Sequence, residues 1–215
     1  MSNLKILQTV TGSYSTNCYL IVDEEQGISA VVDPGFYSDN IIKMLENENI
    51  KKLDYILLTH GHMDHICAAY YIREKFGGKI VIGEDDAPCV REYLFEINAP
   101  DYKRAFVPCE PDIILKDETS IPFGNNNISV IYTPGHTLGE VCYIIDDYLF
   151  SGDVLFKDGI GRTDLNGGNI FVLVKSLEKI CQLEKDYTVL TGHGAVTTLS
   201  REKEYNPYLR NIVKK

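Results

Sequence analysis

A chain of 215 residues can bury about 70% of its unfolded surface, so its core needs no disulfide or structural metal to close. With 31 acidic against 21 basic residues, the net charge of −10 at pH 7 argues against nucleic-acid and anionic-membrane partners and suits a protein that binds cations. No apolar run approaches the ~20 residues of a spanning helix, and Met1-Ser2-Asn3-Leu4-Lys5 lacks a secretory pattern, so a cytoplasmic protein is expected.

In chain order, β-branched and aromatic runs predict strands over 17–22 and 29–32, followed by a helix over 39–48. A strand over 55–59 and a helix over 66–76 come next, then a strand over 79–82 and a helix over 87–95. Strands over 128–133 and 141–145, a helix over 169–183 and a strand over 188–191 complete the series. From Arg201 a short helix or turn is expected, interrupted by Asn206-Pro207. Strands alternating with helices indicate an α/β protein. No Pro-rich or Ser-rich linker divides the chain, so residues 1–215 are expected to form a single domain. The helix over 169–183 aligns Ile170, Leu173, Val174, Leu177, Ile180 and Cys181 on one stripe, which predicts packing against a sheet. The cysteines (Cys18, Cys67, Cys89, Cys109, Cys142, Cys181) form no Cys-x-x-Cys pair and read as reduced, mostly buried thiols.

The two halves echo one another. Tyr55-Ile56-Leu57-Leu58-Thr59-His60-Gly61-His62 resembles Tyr187-Thr188-Val189-Leu190-Thr191-Gly192-His193-Gly194. Val31-Val32-Asp33-Pro34-Gly35 and Leu149-Phe150-Ser151-Gly152-Asp153 both run a strand into an acid and a glycine. Together they suggest two halves that deliver polar residues from strand ends to one place.

The five histidines decide the chemistry. Three lie in Thr59-His60-Gly61-His62-Met63-Asp64-His65, directly after an apolar strand; His136 and His193 follow strands as well. Imidazole is the commonest ligand of zinc-like ions, and carboxylate completes such sites. Four donors within six residues crowd a single tetrahedral ion, whereas two neighbouring ions accommodate them. Crowding them without metal is unfavourable, because protonated imidazoles repel and buried neutral ones need partners.

The series His-x-His-x-Asp-His, then Gly-His, a strand-end Asp and a last Gly-His resembles the metallo-β-lactamase superfamily, from Val32-Asp33-Pro34-Gly35 to Gly192-His193-Gly194. Gly159-Ile160-Gly161-Arg162-Thr163-Asp164 and the late Gly-His-Gly are similar to compact hydroxyacylglutathione hydrolase-like (glyoxalase II-like) proteins. The resemblance implies an αββα sandwich of two mixed β-sheets flanked by helices, with metal at one edge. Carried over residue by residue, it implies that His60, His62 and His136 bind a first ion, that Asp64, His65 and His193 bind a second, and that Asp153 bridges both. Asp33 matches the first motif of the superfamily and is expected to orient ligands from behind. Two divalent ions are expected, zinc before iron or manganese, since the same nitrogen and oxygen donors accept all three.

A pair of ions roughly 3.5–4 Å apart can activate a shared water and polarise a carbonyl, so no serine or cysteine nucleophile is required. Asp64 is also a candidate catalytic group that steers the water's proton. Arg162 is a candidate for gripping an anionic substrate group, with an ion pair to Asp164 as the equal alternative. Cys67 is expected to pack. The resemblance implies hydrolysis of a small-molecule thioester or related acyl compound. One alternative is a mononuclear iron persulfide dioxygenase, because His60, His136 and Asp153 compose a two-histidine, one-carboxylate triad. A non-catalytic metal-binding protein is the other. After His193 come 22 residues, where full-length glyoxalase II proteins carry a longer helical extension, so a loose grip on glutathione is expected.

Overall fold

The computed structural model describes residues 4–94 and 100–213. Its first sheet opens with an antiparallel meander, β1 (Leu4–Thr11), β2 (Thr16–Asp23) and β3 (Ile28–Val32). Helix α1 (Asp39–Asn47) leads to β4 (Tyr55–Leu57), and α2 (Met63–Ile66) and α3 (Ala69–Phe76) lead to β5 (Lys79–Gly83). A 3₁₀ turn (Glu84–Asp86), α4 (Ala87–Arg91) and α5 (Pro100–Ala105) precede β6 (Ile113–Leu115). Strands β3 to β6 run parallel, as helical crossovers require.

The second sheet takes over with β7 (Thr119–Phe123), β8 (Asn126–Tyr132), β9 (Val141–Ile145) and β10 (Tyr148–Gly152), all antiparallel in sequence. A small hairpin, β11 (Leu155–Phe156) and β12 (Gly159–Ile160), and helix α6 (Ile170–Cys181) follow. Strand β13 (Thr188–Thr191) then pairs parallel with β10, before β14 (Thr197–Thr198), α7 (Leu199–Tyr205) and α8 (Leu209–Val213). The strand orders are β1-β2-β3-β4-β5-β6 and β14-β13-β10-β9-β8-β7, both mixed.

Alternation along the strands builds three apolar layers from these two sheets. In β2, Tyr19 and Ile21 point between the sheets, while Cys18, Leu20 and Val22 point outward under α1 to α4. In β9, Val141, Tyr143 and Ile145 face inward and Cys142 and Ile144 face α6 to α8. Both faces of the central strands are therefore covered, and they read as unbroken apolar runs. Each fully buried Leu, Ile or Phe contributes about 1.5–3 kcal/mol of transfer free energy, so the three layers together dominate the stability. The architecture is the αββα sandwich.

Three expectations change in detail. The helix over 66–76 is broken at Cys67-Ala68 into α2 and α3, and α2 begins inside the histidine motif, with His62 as its N-cap residue. The helix over 87–95 stops at Arg91; Phe95 lies outside the described residues. In α6 the buried stripe is Leu173, Ser176, Leu177 and Ile180, whereas Ile170 is 41% exposed at the first turn, as is its neighbour Phe171 at 79%. Strands β1, β6 and β7 lie at or near sheet edges and lack the strong apolar signal of the centre. Strand β7 carries Pro122, which an edge strand tolerates because one side of it needs no ladder donor.

The echo between the halves has a structural counterpart. Strands β3 and β4 are parallel neighbours in one sheet, and β10 and β13 are parallel neighbours in the other. Asp33, His60, Asp153 and His193 all follow the C-terminal ends of these strands. Polar ties pin the sheets together at that edge. Tyr143 Oη donates to the Leu58 carbonyl (2.8 Å), Val141 N–H to the Thr59 carbonyl (2.9 Å), and Tyr19 Oη to the Thr191 carbonyl (2.7 Å).

Candidate metal centre

Each candidate ligand is placed by a short turn that its neighbours force. After β4 the chain passes Thr59, His60 and Gly61, then winds into α2, which turns Asp64 and His65 back toward the sheet edge. His136 sits in the β8–β9 connection beside Gly135, whose φ of +138° and contact with the Leu173 backbone leave no room for a side chain. Asp153 follows β10 and His193 follows β13.

All seven predicted ligands converge at the sheet edge. Three sets have donor atoms within 4.8 Å of one another: His60, His62 and His136; Asp64, His65 and His193; and His60, His65 and Asp153. His62 Nδ1 lies 2.9 Å from His136 Nε2, and His65 Nε2 lies 3.2 Å from His193 Nε2. Asp153 stands between the sets. Its Oδ1 is 3.5 Å from His65 Nε2, and its Oδ2 is 3.5 Å from both His136 Nε2 and His193 Nε2.

Hydrogen bonds on the far side of each ring assign the neutral tautomers. His65 Nδ1 donates to Asp33 Oδ2 (2.9 Å), His136 Nδ1 to the Arg162 carbonyl (2.7 Å), and His193 Nδ1 to the Tyr14 carbonyl (3.0 Å). The Thr59 hydroxyl donates to Asp33 Oδ2 (2.7 Å) and so accepts from His60 Nδ1 (3.1 Å). Four rings therefore aim Nε2 lone pairs inward. The Nε2 atoms of His65 and His193 face each other at 3.2 Å, and His60 Nε2 and Asp153 Oδ1 are buried without a hydrogen-bond partner among the described residues. Unsatisfied buried acceptors of this kind cost roughly 1–3 kcal/mol each. A cation between them would satisfy these inward-facing atoms, so the residues fit divalent metal.

The electrostatics agree. Burial, then the surrounding imidazoles, hold His60 well below the usual histidine range, and burial with His136 lowers His62 to about 3. Both rings thus stay neutral and ready to ligate. Burial opposes a proton on His65, yet Asp153, Asp64 and Asp33 outweigh it and raise its pKa to about 10. Burial also works against the Asp64 carboxylate, but His65 and His193 overcome it and keep Asp64 ionised. The carboxylates demand positive charge at this spot, and a divalent ion supplies it in place of a proton.

Asp33 uses both oxygens. Its Oδ1 accepts the Thr59 N–H (2.8 Å) and its Oδ2 accepts from Thr59 and His65, from a backbone at φ +48°. Asp33→Asn puts an amide donor against the His65 N–H. The expected result is a metal affinity lowered about 10-fold or more, within the range for partners that orient ligands; unchanged affinity in a chelator competition would show that His65 is held by other means.

Arg162 reaches the site through its carbonyl, which accepts from His136 Nδ1. The exposed guanidinium makes a two-pronged pair with Asp164 (2.7 and 2.8 Å). Cys67 is buried and packed, with its thiol pushed up to about 12 by burial. The sequence reading did not single out Thr16 and Glu140. The Thr16 hydroxyl donates to Asp64 Oδ2 (3.1 Å), and Glu140 Oε1 accepts the Asp153 N–H (2.9 Å) from full burial. Burial, then Asp153, raises the Glu140 pKa well above the carboxylate range. An acid opening the apolar strand β9, four residues after His136, was the available signal for Glu140.

Comparison with known proteins follows the same lines. The sequence pattern of the metallo-beta-lactamase superfamily matches residues 11–193. Hydroxyacylglutathione hydrolase GloC of Haemophilus influenzae is 33% identical over 218 residues, covering 97% of this chain and 99% of that protein. The crystal structure of BLEG-1 B3 metallo-beta-lactamase superposes with a TM-score of 0.87 at 33% identity, covering 95% of this chain and 99% of the other. TTHA1623, solved in a di-iron-bound form, superposes with a TM-score of 0.82 at 29% identity, covering 94% and 100%.

Proposed function

The chain belongs to the metallo-β-lactamase superfamily, and from that footing we propose that it is a two-metal hydrolase of small thioesters or related acyl compounds. The observation that carries this reading is the meeting of two three-residue ligand sets at Asp153, whose oxygens face both. His60, His62 and His136 would hold one ion, Asp64, His65 and His193 the other, and Asp153 both. Two such ions supply Lewis acidity at the substrate carbonyl and a water acidic enough to ionise near neutrality.

The chain's own groups prepare the reaction. Asp33, Thr59 and the carbonyls of Tyr14 and Arg162 fix the tautomers, so the rings need no reorganisation when substrate arrives. Asp64, held ionised and anchored by Thr16, is an acceptor that orients the proton of an incoming water. The ligands are buried except on one side, where the His193 side chain is 27% exposed between Tyr14 and Phe156. Substrate enters there. Covalent catalysis by cysteine is disfavoured, because burial pushes the thiols of Cys67 and Cys89 up to about 12.

The similarity to GloC supports a thioester substrate, and that to the di-iron protein supports iron beside zinc as a metal. A panel of lactoylglutathione, thioesters of other thiols, a β-lactam and glutathione persulfide tests the reading. Hydrolysis of several thioesters, without tight selectivity for glutathione, is expected. Oxygen uptake with the persulfide and no thioester cleavage would replace this reading with an iron dioxygenase; turnover of the β-lactam alone would replace it with a lactamase.

A further inference from the structure

A buried carboxylate outside the ligand sets ties two of their loops together. Asp86 ends the 3₁₀ turn after β5 and is 2% exposed. Its Oδ2 accepts the Gly61 N–H (2.8 Å) and the Thr137 hydroxyl (2.6 Å), and its Oδ1 accepts the Gly139 N–H (3.0 Å). Gly61 lies between His60 and His62, and Thr137 follows His136. One side chain therefore spans the two loops that carry His60, His62 and His136, which come from different sheets.

The approach is close by construction. A side-chain carbon on Gly61 would stand 3.2 Å from Asp86 Cβ and 2.7 Å from Cys89 Sγ. One on Gly139 would run into the Asp86 backbone, and one on Gly83 into the Gly139 carbonyl. Three glycines thus clear the space in which the carboxylate meets backbone N–H groups directly. The other set is fastened differently: His65 by Asp33, Asp64 by Thr16 and His193 by the Tyr14 carbonyl. Asp86 makes none of those bonds.

We propose that Asp86 is a positioning residue that sets the separation of the His60–His62 loop from the His136 loop, and so governs one metal position without governing the other. The inference rests on the two-metal reading above. Metal ligands must hold their spacing within a few tenths of an ångström, and residues that orient them are worth roughly 10–100-fold in affinity. Removal of Asp86 leaves two backbone N–H groups and a hydroxyl without their acceptor, and frees the two loops to drift apart.

The test is a titration of metal-free protein with Co(II), reading stoichiometry from the visible spectrum and affinity from chelator competition. Wild type should bind two equivalents. Asp86→Ala should keep one tight equivalent and weaken the other by about 10–100-fold, with a changed spectrum for the weakened ion only. Asp86→Asn, which retains one acceptor oxygen, and Thr137→Val, which removes one bond, should show smaller shifts in the same direction and serve if the alanine variant does not fold. Equal weakening of both equivalents, or unchanged affinity with only a lower melting temperature, would overturn the positioning role and leave the two-metal reading standing. A wild type that saturates at one equivalent would overturn the two-metal reading itself, and the proposal with it.

Discussion

Asp153→Ala is expected to lower turnover at least ~100-fold and to reduce metal content, because Asp153 is, among the described residues, the one carboxylate whose oxygens face both ligand sets. Its Oδ1 is buried with no hydrogen-bond partner among the described residues, so the side chain contributes little to the fold beyond that site. The backbone N–H donates to Glu140, a bond that alanine retains. The variant should therefore fold while its histidines lose their shared counter-charge. Elemental analysis beside thioester kinetics reads both effects. A variant that kept two ions and near-normal turnover would show that Asp153 bridges nothing.

Gly192→Ala should be nearly as damaging, for a steric reason. The added carbon would fall well inside van der Waals contact of Asp153 Oδ1 and 2.9 Å from both His65 Cε1 and the Gly152 carbonyl. Retreat is blocked, since Gly192 N–H donates to Gly152 (2.7 Å) and its carbonyl accepts from Asn17 N–H (2.8 Å). Either Asp153 or His65 must leave its place, and metal content should fall with activity by ~10–100-fold. Gly194→Ala is the matching control two residues away. Nothing lies within 4 Å of its added carbon, but its φ of +75° strains alanine, so stability should drop by about 1–2 kcal/mol with full metal content. Equal metal loss in the two variants would mean that the motif is merely fragile.

The parts of this molecule legible in the sequence are those whose signal is local. Strands β2, β9 and β13 announce themselves because both of their faces are buried, which turns alternation into an apolar run. The histidines and aspartates at strand ends stand out because such donors have few other reasons to cluster, and the structure draws all seven together. What the sequence hides depends on the far side of the fold. Glu140 meets Asp153 across 13 residues, Thr16 meets Asp64 across 48, and the carbonyls of Tyr14 and Arg162 carry no side-chain signature at all. For Arg162 the sequence offers a substrate grip and an ion pair with Asp164 as equal readings, and the structure shows the ion pair, two residues away. Edge strands were quiet for the same physical reason that makes them edges, with one face and one ladder unpaired and Pro122 tolerated.

The central claim is that two ions, held by two sets of side chains joined at Asp153, act together. The most direct measurement adds Zn²⁺ stepwise to metal-free protein while thioester hydrolysis is followed. Activity should rise to a plateau at two equivalents per chain, with little gained below the second. Full activity at one equivalent would contradict the account.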